Sequence, residues 1–346
     1  MDDLMTGVMV VFNRKGGVGK TVTCCHLAAA AAMAGRKVLV IDYDPQGDST
    51  NILGGNDFKY YDGQSYSDYR EDNSRLQPDV TKWVFDDTTL DKVLISTPFN
   101  VDLIPNFNTI ESRDFITWYD EGQSERMNRQ AYSDAIQKSL DEFCYRKRRE
   151  FELQFDQTDV MQNPDVYAGK WLSLLKNKIA DLKEIYDLIL IDCNPTYSNW
   201  NRMAFSAADH LLVTMNSDAF SLNGLGTVYQ DFLLAKAYNN GLDFSGVAIV
   251  NMPYNSKVSK FNYSFMMNSG FKTNIVNTVV RQDAKMQKAV QNCRPIFYEV
   301  QGSKNKLTRA GSDYINLAKD LRIINNKQYK RFIEDGYAEK AVWSFT

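Results

Sequence analysis

The chain of 346 residues is 44% hydrophobic and 12% aromatic, enough for one large α/β core or two modest ones. No run reaches the roughly 18–20 uncharged apolar residues of a membrane span, and the opening MDDLMTGVMVVF lacks the basic flank of a secretory signal, so a cytoplasmic protein without stable membrane insertion is expected. The net charge of −3 hides an asymmetry: residues 257–331 carry 15 Lys or Arg against 4 Asp or Glu, a net of +11, so acidity overall does not exclude a nucleic-acid partner.

Val8 to Phe12 is a short, continuous apolar run, as a strand covered on both faces requires. A glycine loop follows, then the alanine-rich TVTCCHLAAAAAMAG, which predicts a helix of about 13 residues closed by Gly35. Val38 to Ile41 returns as a strand and stops at Asp42, giving a βαβ unit with parallel strands. Further strands are expected at 101–104, 188–191, 211–215, 247–250 and 275–280. The alternation predicts a single α/β domain: a doubly wound, mostly parallel sheet flanked by helices, with its ligand at the carboxyl ends of the strands. Residues 54–79 are expected as a long loop, 112–168 as a partly helical insertion, and 326–346 as a C-terminal tail. Five cysteines form no CxxC pair and no Cys/His cluster, so reduced thiols and no structural metal are expected. Cys24, Cys25 and His26, on the helix after the loop, are read as core residues or as supports behind the site.

Residues 14–21, RKGGVGKT, sit where a phosphate loop must sit, between a buried strand and a helix. Gly16, Gly17 and Gly19 let successive N–H groups turn toward an anion, and the helix N-terminus adds its dipole. Lys20 then reaches the β and γ phosphates while the Thr21 hydroxyl ligates Mg²⁺. Arg14 stands where the ordinary motif has its first glycine. Asp192, ending the apolar run LILI, is placed to hold a Mg²⁺-bound water, and Asp44, just past its strand, to orient an attacking water. For Asp42 two readings stay open, a hydrogen bond near the metal or an anchor for the loop. For Asn251, at the end of VAIV, the adenine edge and an ordinary strand-end cap both stay open. A lone Cys193 without a base is given no chemistry.

KGGVGKT resembles the deviant phosphate loop of the ParA/MinD family of ATPases, and Lys15 matches that family's signature lysine. DYDPQG at 42–47, YDLILID at 186–192, VDLIPNFNTIES, TVVRQDAKMQKAVQNCRPIFY and SDYINLAKDL resemble further segments of the family, so roughly 1–110 and 170–325 are covered. The likeness is greatest to plasmid and chromosome partition ATPases. It implies ATP and Mg²⁺ as cofactors, slow hydrolysis, and nucleotide contacts from Lys15, Gly16, Gly17, Val18, Gly19, Lys20, Thr21 and Val22. Lys15, Lys20 and Asp44 are the implied catalytic groups, with Thr21, Asp192 and Asp42 around the metal. It further implies an ATP-bound homodimer in which Lys15 crosses to the partner's nucleotide, nonspecific DNA binding, association with the nucleoid, and a centromere-binding adaptor that stimulates hydrolysis. Cys193-Asn194-Pro195 and Val280 depart from the family, which usually has two prolines after the aspartate and a proline before the arginine matched by Arg281. Arg281, Lys285, Lys288, Lys306 and Arg309 are the candidate phosphate contacts on DNA. The alternatives are a MinD-like membrane switch working through the tail, a scaffold that positions another cargo, and a reductase like the nitrogenase iron protein, which the missing cysteine pair argues against.

Overall fold

The computed structural model describes residues 3–54, 78–107, 129–217, 221–299 and 308–339. Among them eight strands form one sheet: β1 Gly7–Phe12, β2 Val38–Tyr43, β3 Ile95–Ser96, β4 Val101–Ile104, β5 Leu188–Cys193, β6 His210–Met215, β7 Asp243–Met252 and β8 Ile275–Arg281. Their order in space is β3-β4-β2-β5-β1-β6-β7-β8, parallel throughout except for the edge pair β3 and β4. The expected mostly parallel sheet is what the chain builds. Two-residue β3 is an addition, too short to leave a periodic signal.

The strands read as unbroken apolar runs because both faces of the sheet are covered. From β1, Val8, Val10 and Phe12 enter one core with Trp200, Phe205 and Val228, while Met9 and Val11 enter a second with Leu27, Ala28, Tyr314 and Ile315. The helix Lys20–Met33 lies on the second face, where its wholly buried alanines let the backbone come close to the sheet. Gly35, at φ 86°, turns the chain out of that helix with its N–H on the Ala32 carbonyl at 2.9 Å. On the first face, Trp200 stacks on Tyr43 with ring centroids 3.9 Å apart and donates Nε1–H to the Tyr43 carbonyl at 2.8 Å. Burying such a side chain contributes roughly 1.5–3 kcal/mol, and here it fixes the carboxyl end of β2.

The described part of the expected insertion is helical and is built into the first core. Helices Arg129–Glu152, Gln157–Gln162 and Pro164–Leu172 follow one another, and Cys144 and Trp171 are buried in the same core as Val8. Residues 55–77 of the expected loop lie outside the described residues; helix Asp48–Gly54 leads into them, and Asp79 caps helix Val80–Phe85 on leaving them. In the tail, helix Asn326–Glu334 opens on a capping box between Asn325 and Gln328. Tyr329 and Phe332 of this helix are buried in the second core, and residues 340–346 of the expected tail lie outside the described residues.

β1 has β5 on one side and β6 on the other, which makes it the point where the winding of the sheet reverses. Ligands of doubly wound sheets bind outside the carboxyl ends of the strands at that point. There Asp42 and Asp192 are direct neighbours across β2 and β5, and Val11, two residues before Asn13, is the register partner of Asp192 on β1.

Candidate functional site

The loop after β1 is tied to β6 by backbone contacts. Asn13 Nδ2 donates to the Thr214 carbonyl at 2.6 Å while its Oδ1 accepts the Lys15 N–H at 2.9 Å, and Asn216 Nδ2 donates to the Gly17 carbonyl at 3.4 Å. Gly17 and Gly19 have φ of 71° and 76°, a left-handed region glycine enters freely. A Cβ on Gly19 would also come within 2.9 Å of Val250. The helix begins at Gly19 with no side-chain cap and no acid in its first turn, so its leading N–H groups and the positive end of its dipole are left to an anion.

Around this cradle, Val18 is buried, Lys15, Gly16 and Gly17 are exposed, and Thr21 and Val22 are half-buried. Lys20 is only 6% exposed, and its Nζ donates to the Lys15 carbonyl at 3.3 Å. Burial lowers its pKa, opposed by the charges of Asp44 and Asp192.

Three aspartates from two strand ends face the lysine's side of the site. Asp192 is fully buried; its Oδ2 accepts from Ser49 Oγ at 2.7 Å, and its Oδ1 is buried with no hydrogen-bond partner among the described residues. Burial, then the charge of Asp44, pushes its pKa up to about 7, against the lowering pull of Ser49, Thr21 and Lys20. Asp44 is 8% exposed and accepts the Gln46 N–H at 3.0 Å; burial lifts it to about 6. Asp42 is committed to the loop. Its Oδ2 accepts from both Thr50 N at 2.7 Å and Thr50 Oγ1 at 2.6 Å, and its Oδ1 accepts the Asp44 N–H at 3.3 Å. Of the two readings left open for this residue, the geometry favours the anchor. Thr50 in turn accepts the Asn106 N–H at 2.9 Å, and a Cβ on Gly47 would meet the Asn106 carbonyl at 2.6 Å, which accounts for glycine there.

The Cys193-Asn194-Pro195 departure makes a hydrogen-bonded turn. Asn194 Oδ1 accepts from Thr196 N at 3.2 Å, Thr196 Oγ1 at 2.9 Å and Asn201 Nδ2 at 2.6 Å. The Cys193 thiol is pushed up by burial, which removes thiolate chemistry. His26 is the core residue expected: it is fully buried, stacks on Tyr314 at 4.9 Å, accepts the Ile296 N–H through Nε2 at 2.9 Å, and is held near pKa 4 by burial. Asn251, the penultimate residue of β7, is exposed, at φ 53°, a left-handed conformation asparagine tolerates better than most residues.

Sequence reasoning missed the partners of the loop. Asn13, Ser49 and Thr50 carry a local signal, being small polar residues beside strand ends. Asp231 carries none: Arg14 donates to it through Nε at 2.6 Å and Nη2 at 2.5 Å from 217 residues away.

The candidate DNA contacts divide. Arg281 departs from expectation, because its Nε and Nη2 donate to buried Asp313 at 2.8 and 2.7 Å and brace β8 against helix Arg309–Asp320. A guanidinium committed this way is structural. Lys288 lies 3.3 Å from Glu299 with its side chain 71% exposed. Lys285 and Arg309 are exposed, Arg309 over the Tyr254 ring at 5.9 Å. Lys306 lies outside the described residues.

Residues 9–296 match the family described as the CobQ/CobB/MinD/ParA nucleotide binding domain. The chain is 22% identical over 318 residues to the sporulation initiation inhibitor protein Soj of Bacillus subtilis (strain 168), covering 92% of this chain and 98% of that protein. To the chromosome-partitioning ATPase Soj of Treponema pallidum (strain Nichols) it is 24% identical over 297 residues, 84% of this chain and 89% of that one. In fold it is similar to the ATP complex of a Cyanothece McdA variant, with a TM-score of 0.60 at 16% identity over 99% of this chain and 100% of that one. It is also similar to the septum site-determining protein MinD of Pyrococcus horikoshii OT3 complexed with Mg-ADP, at 0.55, 18% identity, 92% and 95%. The matched stretch takes in most of the sequence, including the glycine loop and all three strand-end aspartates. The chain therefore belongs to the CobQ/CobB/MinD/ParA nucleotide binding domain family.

Proposed function

We propose that this chain is an ATPase that binds Mg-ATP at the loop after β1, closes with a second copy around the nucleotide, and in that state grips DNA nonspecifically to move a plasmid or chromosome. Hydrolysis, expected to be slow until an adaptor bound to the cargo DNA stimulates it, is the release step. The observation that carries the reading is the cradle itself: an uncapped helix start, a buried Lys20, and buried Asp44 and Asp192 at the reversal point of the sheet. Partition is supported by the chromosome-partitioning ATPase Soj of Treponema pallidum, which this chain matches over 89% of its length.

The residues present fit a magnesium-bound nucleotide. Asp192 Oδ1 is a buried acceptor without a partner, and among the described residues no cluster of three ligating side chains could hold a metal by itself. Mg²⁺ keeps most of its waters and shares phosphate oxygens, so it needs no such cluster. The Thr21 hydroxyl and Asp192 would hold it, and it would neutralise phosphate charge during transfer. Within that frame Lys20 binds the β and γ phosphates, Asp44 holds the attacking water, and exposed Lys15 reaches the partner's nucleotide.

DNA contact rests on the basic stretch 257–331, where Lys285 and Arg309 are exposed. Two copies double the phosphate contacts, which makes dimer closure a DNA switch. The membrane alternative loses support at the tail helix, which buries Tyr329 and Phe332.

Retention of random duplex DNA across a salt series, with ATP and with ADP, tests the reading. Binding is expected with ATP alone, equally for all sequences. Each lost contact flattens the log-log salt slope by about 0.9, so Lys285→Ala with Arg309→Ala in both copies should flatten it by roughly 3–4 and leave ATP affinity unchanged. Binding that is absent with ATP, or equal with ADP, would overturn the DNA role and favour positioning of another cargo.

A further inference from the structure

Arg14 occupies the position of the first glycine in an ordinary phosphate loop, directly before Lys15, and it does not point idly into solvent. Both Nε and Nη2 donate to Asp231, at 2.6 and 2.5 Å, in the two-pronged geometry that makes guanidinium–carboxylate pairs directional. Asp231 lies on helix Ser221–Lys236, with its side chain 1% exposed, and among the described residues Arg14 alone donates hydrogen bonds to that side chain. The Asp231 hydrogen bond raises the guanidinium's pKa, so Arg14 keeps its charge. A third element meets the same group. The Arg14 guanidinium lies 5.8 Å from the centre of the Tyr197 ring, and Tyr197 Oη shares a 2.9 Å hydrogen bond with Tyr238 Oη, just beyond the end of that helix. Tyr197 is five residues past Asp192, in the segment whose turn Asn194 sets.

One side chain thus ties the loop to the segment after β5 and to the helix after β6. Neither tie involves the groups that capture phosphate. Those are held independently, by Asn13 on the Thr214 carbonyl, Asn216 on the Gly17 carbonyl, and the helix starting at Gly19.

We propose that Arg14 and Asp231 are a positioning pair that sets Lys15 and the segment following Asp192 for hydrolysis, while nucleotide capture proceeds without it. This rests on the ATPase reading above. Removing Arg14 leaves the buried Asp231 carboxylate unmatched and destabilises the fold, whereas replacing both partners with apolar side chains of similar size is commonly neutral. The test is therefore the cycle Arg14→Met, Asp231→Leu and the double variant, with Asp231→Asn as the shape-conserving fourth. Each is measured for thermal unfolding, affinity for a nonhydrolysable ATP analogue, and ATP turnover. Expected is a double variant that recovers the thermal stability lost in the singles and binds the analogue within about threefold of wild type, yet turns over ATP at least about tenfold more slowly. Asp231→Asn should show the same split between kcat and affinity. Wild-type turnover in a stable double variant, or affinity and turnover falling together in Asp231→Asn, would overturn the pair's role and leave the ATPase reading intact. No turnover in the wild-type protein would overturn both.

Discussion

Lys20→Ala should abolish tight ATP binding, lowering affinity by about 100-fold or more. Hydrogen bonds to charged groups are worth about 1.5–3 kcal/mol each, and every 1.4 kcal/mol is tenfold in affinity. Among the described residues Lys20 is the one cation buried in the cradle, the remaining donors being backbone N–H groups at a helix start. Its ammonium is held out of water beside Asp44 and Asp192, so the substitution also leaves those carboxylates repelling incoming phosphates. Nucleotide titration by fluorescence or calorimetry checks the result, with thermal unfolding as the control for folding. Undiminished affinity in a folded Lys20→Ala protein would refute the phosphate-loop assignment.

Asp44→Ala should separate binding from chemistry. A carboxylate that orients a water acts on the transition state more than on the bound ground state, so kcat is expected to fall about 10²–10⁴-fold while ATP affinity stays within a few-fold. Asp44 suits the task. Burial lifts its pKa to about 6, near the operating range of a base, and its backbone neighbours hold it in place through the Gln46 N–H. The variant should accumulate as the ATP-bound dimer. Hydrolysis at the wild-type rate would remove Asp44 from the reaction and return attention to Asp192, since Asp42 is engaged with Thr50.

The parts of this protein legible in its sequence are those whose cause is local. Strands β1, β2 and β5 announce themselves because each must be apolar on both faces, and the loop because left-handed turns at Gly17 and Gly19 demand glycine. The aspartates near the ends of apolar strands were likewise locatable, Asp42 and Asp192 standing side by side across β2 and β5. What escaped was set by partners far along the chain. Arg14 reads as a departure from a motif until Asp231 stands opposite it, and Arg281 reads as one more cation of a basic stretch until its Nε and Nη2 meet Asp313. Charge counts and periodicity describe one segment at a time, and a buried carboxylate on another element can reverse what they imply.

In the proposed cycle ATP joins two copies through Lys15, a step that sedimentation velocity with and without a nonhydrolysable ATP analogue reads out. Lys15 is exposed on the loop, ahead of the glycines that cradle phosphate, so its own subunit's γ phosphate is a poor target. A dimer is expected for the wild type with the analogue, a monomer with ADP, and a monomer for Lys15→Gln with either nucleotide. A wild-type protein that stays monomeric with bound analogue, or a Lys15→Gln protein that dimerises as the wild type does, would contradict that step.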